Sequence, residues 1–289
     1  MEYFAIAAGI SVHIWDTKDE RCPVKPGMTE NVTPGPDRGS QPCLVLLHGY
    51  LETMYVYTEF VEALKSRCRV IVIDMPGHGL TDSAPADACG KRVNTLSFCA
   101  DVVAGVLDKC GVSKAVVAGH SMGGYVTLQL LRDHPDRVER AILLHSHPYP
   151  DAPEKAEDRA REEALIAENK LPVIAGYSIP KMYYEENLRA CDEKIRETIE
   201  LCETHDPEGI IASIEGLRLR PDLQDVMLTP PVPLLLIHGD HDNFLPLDRV
   251  EEMKKLFPKV QYQLIPDAGH NSFIEQPAAC LEAVTGFLP

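Results

Sequence analysis

The sequence predicts an α/β fold: a mostly parallel, eight-stranded sheet with helices on both faces, interrupted late in the chain by a helical insertion. Three observations carry this. Cys43-Leu44-Val45-Leu46-Leu47, Arg69-Val70-Ile71-Val72-Ile73 and Leu234-Leu235-Leu236-Ile237 are apolar without alternation, as strands buried on both faces are. Runs with i, i+3, i+4 apolar spacing separate such segments, so strand and helix alternate. The alternation lapses from about Pro148 to Asp225, where the sequence is charged and helical. At 289 residues and 45 % apolar content, the chain suits one large domain with an insertion. The expected division is 1–147 with 226–289 as the core, and 148–225 as the insertion.

The elements follow in order. Glu2 to Ala7 and Ile10 to Trp15 read as a hairpin joined at Ala8-Gly9. Ile10, Val12 and Ile14 alternate with Ser11 and His13, which places His13 on the solvent face. Thr17 to Pro42 carries no period and reads as a long loop. Cys43–Leu47 is a strand, Thr53 to Leu64 a helix and Arg69–Ile73 the next strand. Leu96 to Lys109 is a helix with a cap from Ser97 or from Asn94-Thr95. Lys114 to Ala118 is a strand. Met122 to Asp133 is a helix, stopped by His134-Pro135. Val138 to Leu144 is a strand. Asp151 to Asn169 is a charged helix whose thin apolar stripe is Ala156, Ala160, Ala164 and Leu165, with the rest solvated. More helix runs from Pro180 to about Leu219. A strand ending at Ile237, a helix over Leu247–Leu256, a strand over Val260 to Ile265 and a helix over Pro277 to Leu288 close the chain.

Composition excludes several functions. Twenty-eight basic against 44 acidic residues leave a net charge of −16. Such a surface repels phosphate backbones and anionic headgroups, which argues against nucleic acid and membrane partners. The nine cysteines are odd in number and scattered, with no C-x-x-C, so neither a zinc ribbon nor a redox motif is indicated. They read as small core residues in a reducing, cytoplasmic setting. No segment has the length and apolarity that a spanning helix or signal peptide needs.

Chemistry concentrates at strand ends. Gly119-His120-Ser121-Met122-Gly123 reads G-x-S-x-G between the strand ending at Ala118 and the helix that follows. Glycines on both sides permit a sharp turn that lifts the serine hydroxyl above the sheet. In an open parallel sheet, ligands gather beyond the carboxyl ends of the strands. There lie His48-Gly49-Tyr50, the Ser121 turn, Asp240-His241-Asp242 and His270. Serine needs a base to take its proton, and imidazole titrates near neutrality, so His270 is the candidate base. Asp242 is the candidate carboxylate that holds the ring in its tautomer, with Asp240 its competitor. The backbone N–H groups of Tyr50 and Met122 are candidate oxyanion donors. His147, Tyr183 and Tyr184 are candidate pocket residues. Glu52 lies near the oxyanion loop and is a candidate for ordering it. His48 and His120 read as packing residues, and Asp74 and His78 as turn residues. Neither a cofactor nor a metal is called for. The Asp-His-Asp of 240–242 lacks a second ligand cluster at metal spacing.

His48-Gly49, Asp74-Met75-Pro76-Gly77-His78-Gly79, Gly119-His120-Ser121-Met122-Gly123-Gly124, Gly239-Asp240-His241-Asp242 and Gly269-His270 occur in this order. With them the chain resembles the α/β-hydrolase fold superfamily, as a serine hydrolase of the esterase type, over nearly its whole length. The resemblance implies that the insertion is a cap and that the acid is Asp242, third after the glycine. It also implies a small acyl substrate, a carboxylic ester or thioester, cleaved through an acyl-enzyme. Two alternatives stay open: a carbon–carbon bond hydrolase or lyase using the same triad, and a non-catalytic receptor on the same fold. Acyl preference and oligomeric state are not legible.

Overall fold

The computed structural model describes residues 1–18 and 41–289. Most of the predicted loop over Thr17 to Pro42, residues 19–40, therefore lies outside the described residues. The strands are β1 (Glu2–Ala7), β2 (Ile10–Asp16), β3 (Cys43–Leu47), β4 (Arg69–Ile73), β5 (Ala115–His120), β6 (Val138–Leu144), β7 (Leu234–Gly239) and β8 (Gln261–Ile265). They form one eight-stranded sheet in the order β1-β2-β4-β3-β5-β6-β7-β8. β1 pairs antiparallel with β2, and β2 antiparallel with β4. Every later pairing is parallel.

Helices α1 (Thr58–Leu64), α2 (Leu96–Lys109) and α3 (Met122–Asp133) belong to the first half. Between β6 and β7 come α4 (Pro153–Ala167), α5 (Leu171–Ser178), α6 (Asp192–Glu203), α7 (Pro207–Arg218) and α8 (Gln224–Leu228). The chain ends with α9 (Leu247–Leu256), α10 (Ser272–Glu275) and α11 (Pro277–Gly286). Strand alternation divides the core into two layers. Val45, Leu47, Ile71, Ile73 and Val117 pack with α2, α3 and α9. Leu44, Leu46, Val70, Val72 and Val116 pack with α1 and α11. Each such fully buried side chain contributes roughly 1.5–3 kcal/mol. No helix among the described residues is long and apolar enough to cross a membrane.

Local chemistry adjusts the expected elements. The single helix expected over Thr53 to Leu64 is a 3-10 turn, Met54–Tyr57, followed by α1. Thr95, not Ser97, caps α2, accepting from the Phe98 N–H. His13 is buried, not solvated, at 3 % exposure. β2 lies between β1 and β4, and the segment after β4 closes over its outer face. There His13 Nδ1 meets Asp74 Oδ2 at 2.8 Å, and Asp74 also accepts from the Met54 and Leu80 N–H groups.

The helices between β6 and β7 share an apolar cluster of their own, with Ile166, Ile174, Ile179, Ile195 and Ile214 packed around Leu51 of the core. α4 departs from its expected face. Ala160, Ala164 and Leu165 are exposed, while Arg159 and Ile166 are buried. The helix is turned because charged partners inside, described below, claim Arg159. α7 is joined to the core backbone to backbone. Gly77 has φ +79°, and a Cβ on Gly209 would stand 2.7 Å from the Gly77 carbonyl oxygen. Alongside, the Asn94 N–H donates to the Ala212 carbonyl at 2.9 Å, and Asn94 Nδ2 donates to Ser213 Oγ at 2.9 Å and to the Pro76 carbonyl at 3.0 Å.

Candidate active site

Ser121 sits between β5 and α3 with φ 49° and ψ −110°, a conformation costly for any residue with a Cβ. The turn is held from several sides. The Ser121 N–H donates to the Leu144 carbonyl at 2.9 Å, and Ser146 Oγ donates to the Ser121 carbonyl at 2.8 Å. A Cβ on Gly119 would strike the Gly123 carbonyl, and one on Gly123 would stand 2.8 Å from the His48 carbonyl oxygen. Only glycine permits both approaches. Met122 is the first residue of α3, so its N–H has no preceding turn to bond and faces the space before the helix.

Asp242 follows β7 and His270 follows β8, neighbouring parallel strands. His270 Nδ1 lies 2.9 Å from both Asp242 oxygens. Oδ1 also accepts from the N–H groups of Phe244 at 2.8 Å and Leu245 at 3.0 Å. Burial works to raise the Asp242 pKa, but the His270 charge and the hydrogen bonds from His145 and His270 hold it well below the usual carboxylate range. Asp240, its competitor, accepts instead from the Ala268 N–H at 3.2 Å. Ser121 and His270 line one cavity of about 360 Å³, together with Gly49, Tyr50, Met122 and His147. No hydrogen bond joins the Ser121 hydroxyl to His270 among the described residues. Such contacts are often loose before substrate binds.

Sequence reasoning missed His145. It directly follows the last residue of β6, with φ 53°, and its Nδ1 lies 2.9 Å from Asp242 Oδ2. Nδ1 donates to that carboxylate, so Nε2 accepts, from Ser272 Oγ at 2.7 Å. The only available signal was its place at a strand end.

Two pocket expectations are corrected. Tyr183 is 2 % exposed and packs in the apolar cluster of the insertion. Tyr184 lies flat on His241, ring centroids 3.7 Å apart. Neither lines the cavity; their neighbour Met182 does. The backbone of this segment is drawn to the His270 loop by the His270 N–H, which donates to the Met182 carbonyl at 2.7 Å. That turns the tyrosine rings away. His147 is on the cavity wall, with Nε2 3.2 Å from the Tyr125 hydroxyl.

Glu52 and His120 form a buried bridge behind the Gly49-Tyr50 loop. Glu52 Oε2 accepts the Gly49 N–H at 2.7 Å and meets His120 Nδ1 at 2.8 Å. His120 Nε2 donates to the His270 carbonyl at 2.9 Å. A carbonyl only accepts, so Nε2 carries a hydrogen, and a second proton is shared between Nδ1 and Glu52. Burial opposes the ionised Glu52 carboxylate, yet His120 pulls its pKa below the usual value. Glu52→Ala strands two buried donors, so unfolding in urea should show a loss of about 3–5 kcal/mol. Glu52→Gln, which can still accept from Gly49 and donate to His120, should lose clearly less. Equal losses would contradict the bridge.

Among the described residues, two clusters hold ligand-type atoms within 4.8 Å of one another: His145, Asp242 and His270, and, at the surface, Asp240, His241 and Asp267. In the first, both Nδ1 atoms are committed to the Asp242 carboxylate, which leaves a metal no donor set without breaking those bonds.

Burial also keeps several imidazoles neutral. It pushes His145, His205 and His238 down to about 4. The unfolded chain binds these protons near pH 6.5, the folded chain only near 4, so between those values unfolding takes up protons and stability falls as pH falls. Each imidazole withdraws roughly 3 kcal/mol by pH 4. Melting temperature should be level above pH 7 and drop steeply from pH 6.5 to 4.5; a level profile over that window would contradict the burial argument.

Comparison with known proteins comes to the same architecture. A family model of the alpha/beta hydrolase fold matches residues 42–164 and 180–277. The pimeloyl-[acyl-carrier protein] methyl ester esterase of Nitrosomonas europaea is 27 % identical over 258 residues, 85 % of this chain and 96 % of that protein. A Bacillus subtilis protein provisionally named 2-succinyl-6-hydroxy-2,4-cyclohexadiene-1-carboxylate synthase is 29 % identical, over 85 % of this chain and 89 % of its own. The solved structure of a thermophilic esterase from Thermogutta terrifontis, malate bound, superposes with a TM-score of 0.84 at 28 % identity, covering 99 % of this chain and 97 % of that one.

Proposed function

The chain belongs to the alpha/beta hydrolase fold family, and from that premise we propose that it is a serine hydrolase cleaving a small carboxylic ester or thioester through an acyl-enzyme. Ser121 attacks the carbonyl carbon while His270 Nε2 takes its proton. Asp242 holds the ring with Nδ1–H directed at the carboxylate, which leaves Nε2 free to act as base. The N–H groups of Tyr50 and Met122 stabilise the tetrahedral oxyanion, each worth roughly 3–4 kcal/mol in the transition state. His270 then protonates the leaving group and activates the water that frees the acid. Residues 148–225 act as a cap that shapes the acyl pocket.

The observation that carries this reading is the Asp242–His270 pair, 2.9 Å apart, opening on the same cavity as Ser121. The esterase names of the Nitrosomonas and Thermogutta relatives support the ester bond as the target. The test is a panel of esters and thioesters of increasing acyl length, run beside a fluorophosphonate probe. Turnover of short acyl esters and labelling of Ser121 are the expected results. A second reading, carbon–carbon cleavage or elimination on the same residues, draws on the likeness to the Bacillus subtilis synthase. Negligible turnover of every ester, with turnover of a vinylogous diketone, would favour it. A protein that neither turns over esters nor reacts with the probe would be a receptor.

A further inference from the structure

The cavity beside Ser121 is cationic, in a protein whose net charge is −16. Arg159, Arg220, Arg249 and Lys155 line it against two carboxylates, Asp151 and Glu162. Arg159 and Arg220 are 7 % and 6 % exposed. Both are paired with the same partner: Arg159 Nε donates to Asp151 Oδ2 at 2.5 Å, and Arg220 Nη1 donates to Asp151 Oδ1 at 2.6 Å. Two buried guanidiniums thus share one carboxylate. Glu162 does not supply the missing charge by contact, since its Oε1 accepts from the Tyr50 hydroxyl at 3.0 Å and no ion pair joins it to either arginine among the described residues. Arg159 Nη1 and Arg220 Nη2 make no hydrogen bond among the described residues.

A surplus buried cation costs several kcal/mol unless an anion compensates it. Arg220 already anchors itself through Nε to the Tyr149 carbonyl at 3.0 Å, and its guanidinium lies over the Tyr125 ring at 4.4 Å. A pair of guanidinium edges with spare donors is the geometry that receives a carboxylate on two sides. The surrounding field has the same sign: burial, then Arg220 and Arg249, push the neighbouring His147 down to about 3. Tyr125, under Arg220, is one helical turn after Ser121 on α3, about 6 Å along the axis. The cationic wall is therefore within reach of a short acyl chain whose other end is at the serine.

We propose that the substrate carries a free carboxylate away from the scissile bond, as in the half-ester of a dicarboxylic acid, and that this carboxylate docks on Arg159 and Arg220. The proposal rests on the serine-hydrolase reading and specifies its substrate class. A concave positive site in a negative protein also concentrates such an anion selectively.

The experiment compares monomethyl succinate, glutarate and adipate with methyl esters of the matching unsubstituted acids. At low salt, at least one half-ester should exceed its neutral counterpart in kcat/KM by about tenfold or more, and the advantage should shrink in 0.5 M salt. Arg220→Gln should reduce that ratio to near one, and Arg220→Lys should restore part of it. A ratio of one or below at all three lengths overturns the carboxylate assignment and leaves serine hydrolysis standing. Ester turnover undiminished by Ser121→Ala overturns the underlying reading instead. The anion site is then decided by titrating adipate into the Ser121→Ala protein. Saturable binding that is lost in Ser121→Ala/Arg220→Gln supports it, and absence of binding overturns it. The same titration decides the matter if Arg220→Gln alone proves unstable, with Arg220→Lys as the weakened variant.

Discussion

Ser121→Ala should lower ester turnover by roughly 10⁵–10⁶-fold while leaving the fold intact. The loss is that large because, in the proposed mechanism, the hydroxyl is the group that bonds to the acyl carbon. The fold survives for a local reason. Alanine has the same Cβ as serine, so the strained φ of 49° costs no more than before. The Ser121 backbone keeps its bonds to Leu144 and Ser146, and the hydroxyl itself makes no hydrogen bond among the described residues. Far-ultraviolet circular dichroism and the melting temperature should match the parent, and fluorophosphonate labelling should vanish. Residual turnover above about one per cent in a purified Ser121→Ala protein would place the nucleophile elsewhere.

Asp242→Asn is the second large effect, with an expected fall in kcat of about 10⁴-fold. The carboxylate accepts on all sides: two backbone N–H groups on Oδ1, His145 on Oδ2 and His270 across both. An amide has one acceptor oxygen. Whichever way it is turned, its NH₂ faces a group that also donates. If it faces His270, the ring adopts the opposite tautomer, with the hydrogen on Nε2, and can no longer take the serine proton. If it faces His145 or the Phe244 N–H, a buried donor is stranded at a cost of about 1–3 kcal/mol. Asp242→Asn should therefore lose stability as well as activity, unlike Ser121→Ala. Nitrogen NMR of the labelled imidazoles reads the tautomer directly. Unchanged His270 Nδ1 protonation with full activity would refute the assigned role.

The legible part of this architecture is the part that depends on strand ends. Asp242 and His270 are 28 residues apart, yet each follows a buried strand, and β7 and β8 are neighbours. Alternation of strand and helix is enough to predict that they meet. Ser121 is legible because its turn needs glycine at 119 and 123, and glycine has few other reasons to recur at that spacing. What is not legible depends on a partner distant in sequence. His13 reads as solvent-facing by its period, but Asp74, sixty-one residues on, claims it. Arg159 reads as part of a solvated charged helix, but Asp151 holds it inside. Tyr183 and Tyr184 lie in the right segment for a pocket, yet the Met182–His270 backbone bond rotates them elsewhere. A periodicity argument counts residue types; it has no access to which charge finds a counter-charge.

The contact between Gly77 and Gly209 sets where this protein can be rebuilt. A methyl group on either residue would displace the backbone of the other, so α7 and the turn after β4 form a unit that must be inherited together. Met182 and Tyr184 make a second joint of this kind, against the Gly269-His270 backbone, whereas helices α4 and α5, over 153–178, carry none among the described residues. Selection, or a protein engineer, can exchange that block, which brings Lys155, Arg159, Glu162 and Ser178 to the cavity wall, whereas grafts cut inside 207–218 should yield chains that never assemble.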